Sequence, residues 1–217
     1  MNSVSLEFLT RQLELADQLV VGRETMFEPQ DLPGRFGRVV QALDRVLDAV
    51  DSEAVVGGGW AVWRHGYFAR MTQDIDIVLP ADHIDEFLRV AAVSGFEVPR
   101  QHAGRWPKLL HKQSDITVDV LPEGERPGTA SNPAPTTIAH PCQLGGSGSA
   151  LRYITLPGLI ELKIAAGRAR DEGDVVELLR VNREQIDSIR NHLSGVDDGY
   201  VAEFDRLLTR AQEQTDE

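Results

Sequence analysis

Three successive glycines, Gly57, Gly58 and Gly59, separate a short β-branched run, EAVV, from a compact amphipathic stretch, WAVWRHG. Glycine lets a chain turn tightly and bring its backbone close to another group, so strand, turn and short helix are predicted in that order. Downstream, DIDIVL alternates, with Ile75, Ile77 and Leu79 on one face and Asp74 and Asp76 on the other. Same-face neighbours on a strand stand roughly 6–7 Å apart, which places both carboxylates side by side. DITVDVL repeats the pattern, with Ile116, Val118 and Val120 apolar and Asp115, Thr117 and Asp119 opposite. If the two strands are neighbours with polar faces on one side, Asp74, Asp76 and Asp119 converge.

The flanking segments read as helical. Residues 4–20 carry Leu6, Leu9, Leu13, Ala16 and Val20 at helical spacing. After GRETMFEPQDLPGR, a second stripe comprises Phe36, Val39, Val40, Leu43, Val46, Leu47 and Val50. Asp82 is expected to cap a helix over DHIDEFLRVAAVSG, with Ile84, Phe87, Leu88 and Ala91 inward. Short strands are expected at FEV and around LLHK. Residues 122–149, rich in Pro, Gly, Ser and Thr, predict a long loop with room for a short strand. From Leu156 the chain is helical: Pro157 suits a first turn and Gly167 interrupts the pattern. Further helices are expected around VVELLR, around Ile186, Ile189 and Leu193, and along Tyr200, Val201, Phe204, Leu207, Leu208 and Ala211. The expected class is α+β, a small mixed sheet flanked by helices. Residues 1–51 are N-terminal helices packing on the core, 52–150 the core, and 151–217 a helical region.

At 217 residues, 41% hydrophobic and 26% charged, the chain suits one sizeable globular core. No apolar run approaches a bilayer-spanning length, and the first residues lack a secretory pattern. The lone cysteine, Cys142, excludes an internal disulfide and fits a reducing compartment. The cytoplasm, with no membrane partner, is the expected location. With 34 acidic against 22 basic residues, the net charge is −12. Nucleic-acid affinity draws on Lys and Arg neutralising phosphates, so the chain is a poor non-specific binder of DNA or RNA.

Three clustered carboxylates repel one another unless a hard divalent cation sits among them. Mg²⁺ favours a few carboxylates together with substrate phosphate oxygens. The glycine turn supplies the complementary element, since backbone N–H groups at a helix start can approach a phosphate unobstructed. Lys163 falls between Leu156, Leu159 and Ile160 on a helical projection. An ammonium centred on a buried stripe either finds anions, from a triphosphate or the acid cluster, or snorkels to the surface. Asp171 and Asp174 are site candidates or caps of the following helix. Trp60, Trp63 and Trp106 read as packing residues, with stacking on a nucleobase open to one of them, and His65 lies in the turn that closes the first short helix.

The order VVGGGWAV, TQDIDIVL, TVDVL resembles the DNA polymerase β-like nucleotidyltransferase superfamily. That resemblance implies a nucleotidyltransferase core, with Asp74, Asp76 and Asp119 as Mg²⁺ ligands around an NTP and Asp119 also as the base for the attacking hydroxyl. It implies triphosphate contacts from Gly58 and Gly59, with Gly57 in the same turn, by two-metal displacement chemistry. Asp115 shares a face with Asp119; Asp119, flanked by apolar neighbours, is chosen. Arg70 and Thr72 match the R-x-T-x-D-x-D spelling of these relatives, and Arg70 either meets phosphate or lies on the surface. ITLPGLIELKIAAGRARDEGDVVELL resembles the helical segment of AbiEii-type toxins, implying site roles for Lys163, Asp171 and Asp174. The implied function is transfer of a nucleoside monophosphate to an RNA, such as a tRNA end, or to a protein, with a cognate antitoxin as a possible partner. The alternatives are a small-molecule acceptor, as in the aminoglycoside and lincosamide nucleotidyltransferases, or a non-catalytic nucleotide-binding protein.

Overall fold

Apolar alternation on two central strands dictates the layout of the sheet. In the computed structural model, which describes residues 10, 14, 27–98, 105–145 and 148–214, six strands form one mixed sheet in the order β3-β4-β5-β2-β1-β6. The strands are β1 (Ala54–Val56), β2 (Asp74–Leu79), β3 (Phe96–Glu97), β4 (Lys108–His111), β5 (Ile116–Pro122) and β6 (Leu151–Tyr153). At its centre β2 runs parallel to β5 and antiparallel to β1, while β4 is antiparallel to β5. Ile75, Ile77, Leu79, Val118 and Val120 are fully buried, as the period-two pattern requires.

The expected stripe on the second helix forms α1 (Gly34–Ala49), whose Phe36, Val39, Val40, Leu43, Val46 and Leu47 are all buried. Each such side chain contributes roughly 1.5–3 kcal/mol by leaving water. Helix α2 (Gly58–Arg64) follows β1 directly and presses Trp60 edge-on against Phe36, ring centroids 4.6 Å apart. Helix α3 (Ile84–Val93) buries Phe87 and Ala91. Asp82 does not cap it: it lies within a 3₁₀ turn, Ala81–His83, and His83 takes the cap position without a capping side-chain bond to the helix. The helix expected over 4–20 falls outside the described residues, apart from Thr10 and Glu14.

The long loop is held rather than free. Gly128 bridges Pro133, the Arg126 guanidinium bonds the carbonyls of Ala134 and Pro135, and the Thr136 and Tyr200 hydroxyls lie 2.8 Å apart. It contains helix α4 (Pro141–Leu144) and ends in β6, which pairs parallel to β1. The sheet therefore draws on residues beyond 150. Its edge strand is only three residues long, too short for a periodic signal.

Four helices complete the described chain: α5 (Leu156–Ala166), α6 (Ala169–Val181), α7 (Ile186–Ser194) and α8 (Asp198–Glu213). Thr155 caps α5 by accepting from the Gly158 N–H, Pro157 sits in its first turn, and Gly167 closes it at φ 61°. Because α5 packs against α2 on one side and against α6, α7 and α8 on the other, it is buried nearly all round. Bonds from Asn182 Nδ2 to the His65 carbonyl (2.8 Å) and between His65 Nε2 and the Ile154 carbonyl (2.8 Å) tie this region to the sheet. Burial holds the His65 imidazole below its ordinary pKa, so the neutral ring donates through Nε2. Among the described residues, no helix is long and apolar enough to cross a membrane.

Candidate functional site

Strand register brings the acids together. In the β2–β5 pair Asp74 lies opposite Thr117, and Asp76 opposite Asp119. Neighbouring strands are about 4.8 Å apart and residues in register share a face, so Asp76 and Asp119 project side by side with Asp74 next in line. Asp115 is not part of this row: it sits in the turn before β5 with a left-handed φ of 53°.

Each carboxylate is held differently. The Thr72 hydroxyl donates to Asp74 Oδ1 at 2.7 Å. Lys108, across from Asp119 in the antiparallel β4–β5 pair, places Nζ 2.9 Å from Asp119 Oδ1. Asp76 has no such cation bonded to it among the described residues. Burial first, then the charges of Asp74 and Asp119, raise its pKa to about 7, against a weaker opposing pull from Lys163 and Arg168. Three carboxylates on one face, the central one short of positive charge, are the donor type that a hard divalent cation takes. Their chemistry fits such an ion, but with Asp74 bonded to Thr72 and Asp119 to Lys108 the three do not bring ligand oxygens within 4.8 Å of one another.

The glycine turn lies directly beside Asp76. The Gly57 N–H donates to the Asp76 carbonyl at 2.9 Å, so it is spent on the sheet. Gly58, at φ 55°, is packed so that a Cβ there would overlap the Asp76 carboxylate, and one on Gly59 would lie 2.6 Å from Thr72 Cβ. The N–H groups of Gly58 and Gly59 open α2, where intrahelical acceptors are lacking.

These groups line one open cavity of about 460 Å³. Its second wall comes from α5 and α6. Lys163 is 6% exposed and its ammonium neither snorkels nor bonds the three acids; it stands 3.1 Å from Asp171 Oδ1 and 2.6 Å from Asp174 Oδ2. Neither aspartate caps α6. Arg70 is not a free surface group either, since its Nε lies 3.2 Å from Asp174 Oδ2. Asp171 also accepts from Arg168 Nε at 2.6 Å, leaving the rest of that guanidinium at the mouth of the cavity.

Of the sequence candidates, Gly57, Gly58, Gly59, Arg70, Asp74, Asp76, Asp119, Lys163 and Asp171 line the cavity. Thr72 and Asp174 stand behind it, bonded to Asp74 and to the Arg70–Lys163 pair. Arg168 and Arg170 also line it, and sequence reasoning passed over both; their place in GRARDEGD beside Lys163 was the available signal. Lys108 was missed as well, because only the β4–β5 register reveals its pairing. Trp106, Leu121 and Ile138 form an apolar wall. A separate group, Glu53, His140 and Cys142, has ligand-type atoms within 4.8 Å of one another outside this cavity, with Glu53 bonded to Arg152.

Residues 39–122 match a family model described as aminoglycoside-2''-adenylyltransferase. Among solved structures, ANT(2'')-Ia in complex with adenylyl-2''-tobramycin is 16% identical, with 82% of this chain and 97% of that one covered at a TM-score of 0.42. A solution structure of ANT(2'')-Ia gives the same identity, coverage of this chain and score, with 91% of that chain covered. JHP933 from Helicobacter pylori is 10% identical, covering 82% of this chain and 92% of that one at a TM-score of 0.36. No curated protein matches the sequence.

Proposed function

We propose that this chain, whose residues 39–122 match a family model described as aminoglycoside-2''-adenylyltransferase, is a nucleotidyltransferase that adenylylates a hydroxyl of a small polycationic acceptor of the aminoglycoside kind. The observation that carries this reading is the family match over residues 39–122, a span that holds the glycine turn and all three acids. It favours the small-molecule acceptor over the toxin-type acceptor that the α5–α6 segment suggested. The net charge of −12 points the same way, because an acidic protein attracts a polycation and repels RNA.

In this reading Asp74, Asp76 and Asp119 would hold Mg²⁺, which would supply charge neutralisation for the triphosphate and for the departing pyrophosphate. The Gly58 and Gly59 N–H groups cradle phosphate oxygens at the start of α2. Asp119 accepts the proton of the acceptor hydroxyl as its oxygen bonds to the α-phosphorus; the bond from that phosphorus to the bridging oxygen breaks, and pyrophosphate leaves. Arg168 and Arg170, which line the same cavity, are the cations this reading assigns to its charge. Lys163 serves them indirectly, by fixing Asp171 and through it Arg168. The Trp106, Leu121 and Ile138 wall offers an apolar face for a base or sugar ring.

Incubating the full chain with each NTP, Mg²⁺ and a panel of aminoglycosides tests the proposal. Pyrophosphate release that depends on the aminoglycoside, with a product heavier by one nucleotidyl group, is the expected result. Label appearing on RNA or protein instead would replace this acceptor class with the toxin-type one.

A further inference from the structure

Lys108, Asp119 and Asp76 form a single row across three strands: Lys108 opposes Asp119 in β4–β5, and Asp119 opposes Asp76 in β5–β2. All three side chains therefore share the face that opens into the cavity. The Lys108 ammonium is 2.9 Å from Asp119 Oδ1, and the two side chains are 43% and 29% exposed. The neighbouring Asp76 has no cation bonded to it among the described residues. One acid in the row thus has a built-in cation and the next does not.

We propose that Lys108 is a positioning residue that stands in for a divalent cation on Asp119 and must release that carboxylate before Asp119 can serve as a metal ligand. The proposal rests on the reading of Asp119 as such a ligand. An ammonium is a compact point charge on a flexible four-carbon stem, so it can hold a carboxylate oxygen and swing away without moving the strand. Its exposure keeps the ion pair weak and exchangeable. While paired, the charge of Asp119 is countered by the Lys108 ammonium and its repulsion of Asp76 is screened. The released ammonium remains on β4 in register with Asp119, so an anion that accompanies the metal to that carboxylate meets a cation on the neighbouring strand. Exchange is thereby favoured when the cation arrives together with a triphosphate, which coupled arrival makes Lys108 a check against premature metal loading.

The test is calorimetric titration of the full chain with Mn²⁺ in the absence of nucleotide, for the unmodified protein, Lys108→Met, Lys108→Arg, Asp119→Asn and the Lys108→Met/Asp119→Asn double variant. Lys108→Met is expected to lower the Mn²⁺ Kd about two- to fivefold, the range of an exposed ion pair, and the gain should shrink as salt is raised. Lys108→Arg keeps the charge and should bind like the unmodified protein. In the Asp119→Asn background the Lys108→Met gain should vanish, which isolates the pair from the rest of the site. An unchanged or higher Kd in Lys108→Met, or Lys108→Arg behaving as Lys108→Met does, would overturn the proposal. Asp119→Asn leaving Mn²⁺ binding untouched in both backgrounds would remove Asp119 from the ligand set, a failure of the functional reading that the Lys108→Met and Lys108→Arg comparison distinguishes from failure of the exchange itself.

Discussion

Gly58 and Asp76 are packed so closely that the hydrogen on the glycine α-carbon is all the space between them allows; a side-chain carbon would overlap the Asp76 carboxylate. Gly58 also holds φ 55°, a conformation costly for other residues. Gly58→Ala is expected to lower stability by roughly 1–3 kcal/mol and to displace Asp76. Thermal melts together with pyrophosphate-release assays check this. A variant of unchanged stability and full turnover would show that the turn and the acid are not coupled.

Asp76 should be bought at the expense of stability when no cation is present. Its pKa is raised from 3.8 to about 7 by burial and by Asp74 and Asp119. Below 3.8 the carboxyl is protonated both folded and unfolded, so nothing is lost. Between 3.8 and about 7 only the unfolded chain has released the proton, so stability falls as pH rises, and the loss is complete above about 7. Asp76→Asn should therefore melt higher than the unmodified, metal-free protein at pH 8, by an amount on the order of 2–4 kcal/mol. The two should converge near pH 4, while the variant loses nucleotidyl transfer. Melts across pH in chelator are the measurement, and parallel curves would contradict it.

Lys163 is the common cation of two buried aspartates. Lys163→Met leaves Asp171 and Asp174 with Arg168 and Arg70 as their bonded cations among the described residues. Removing one member of a buried ion-pair network costs roughly 3–5 kcal/mol, and denaturant unfolding should register that loss. Pairing it with Asp171→Asn or Asp174→Asn should recover part of the loss. Additive losses would mean that the bonds are not coupled.

Arg168 and Arg170 should read out on the nucleotide. Arg168→Ala and Arg170→Ala are expected to raise the NTP KM and lower kcat/KM, each by roughly tenfold or more, with about 1.4 kcal/mol corresponding to each factor of ten. The melting temperature should change little for Arg170→Ala. Kinetics that vary in acceptor concentration only would assign these arginines to the acceptor side instead.

Alternation by itself determined the two central strands, because a period of two admits one buried face: Ile75 with Ile77, and Ile116 with Val118. The same rule set Asp74 beside Asp76, and local conformational chemistry marked the glycine turn, the α1 stripe and, through Pro157 and Gly167, the two ends of α5. These features depend on residues a few positions apart, so they are legible along one line of text. Which strands become neighbours, and in what register, is a property of the packed sheet. Tertiary structure alone therefore put Asp119 beside Asp76, Lys108 beside Asp119, and β6 against β1. It also decided what Lys163 meets, since an ammonium on a buried stripe must find an anion, and the helix that delivers Asp171 and Asp174 returns to α5 only through packing. Sequence periodicity identifies which face of an element carries charge; the free energy of excluding water from the opposite faces decides which charges end up together.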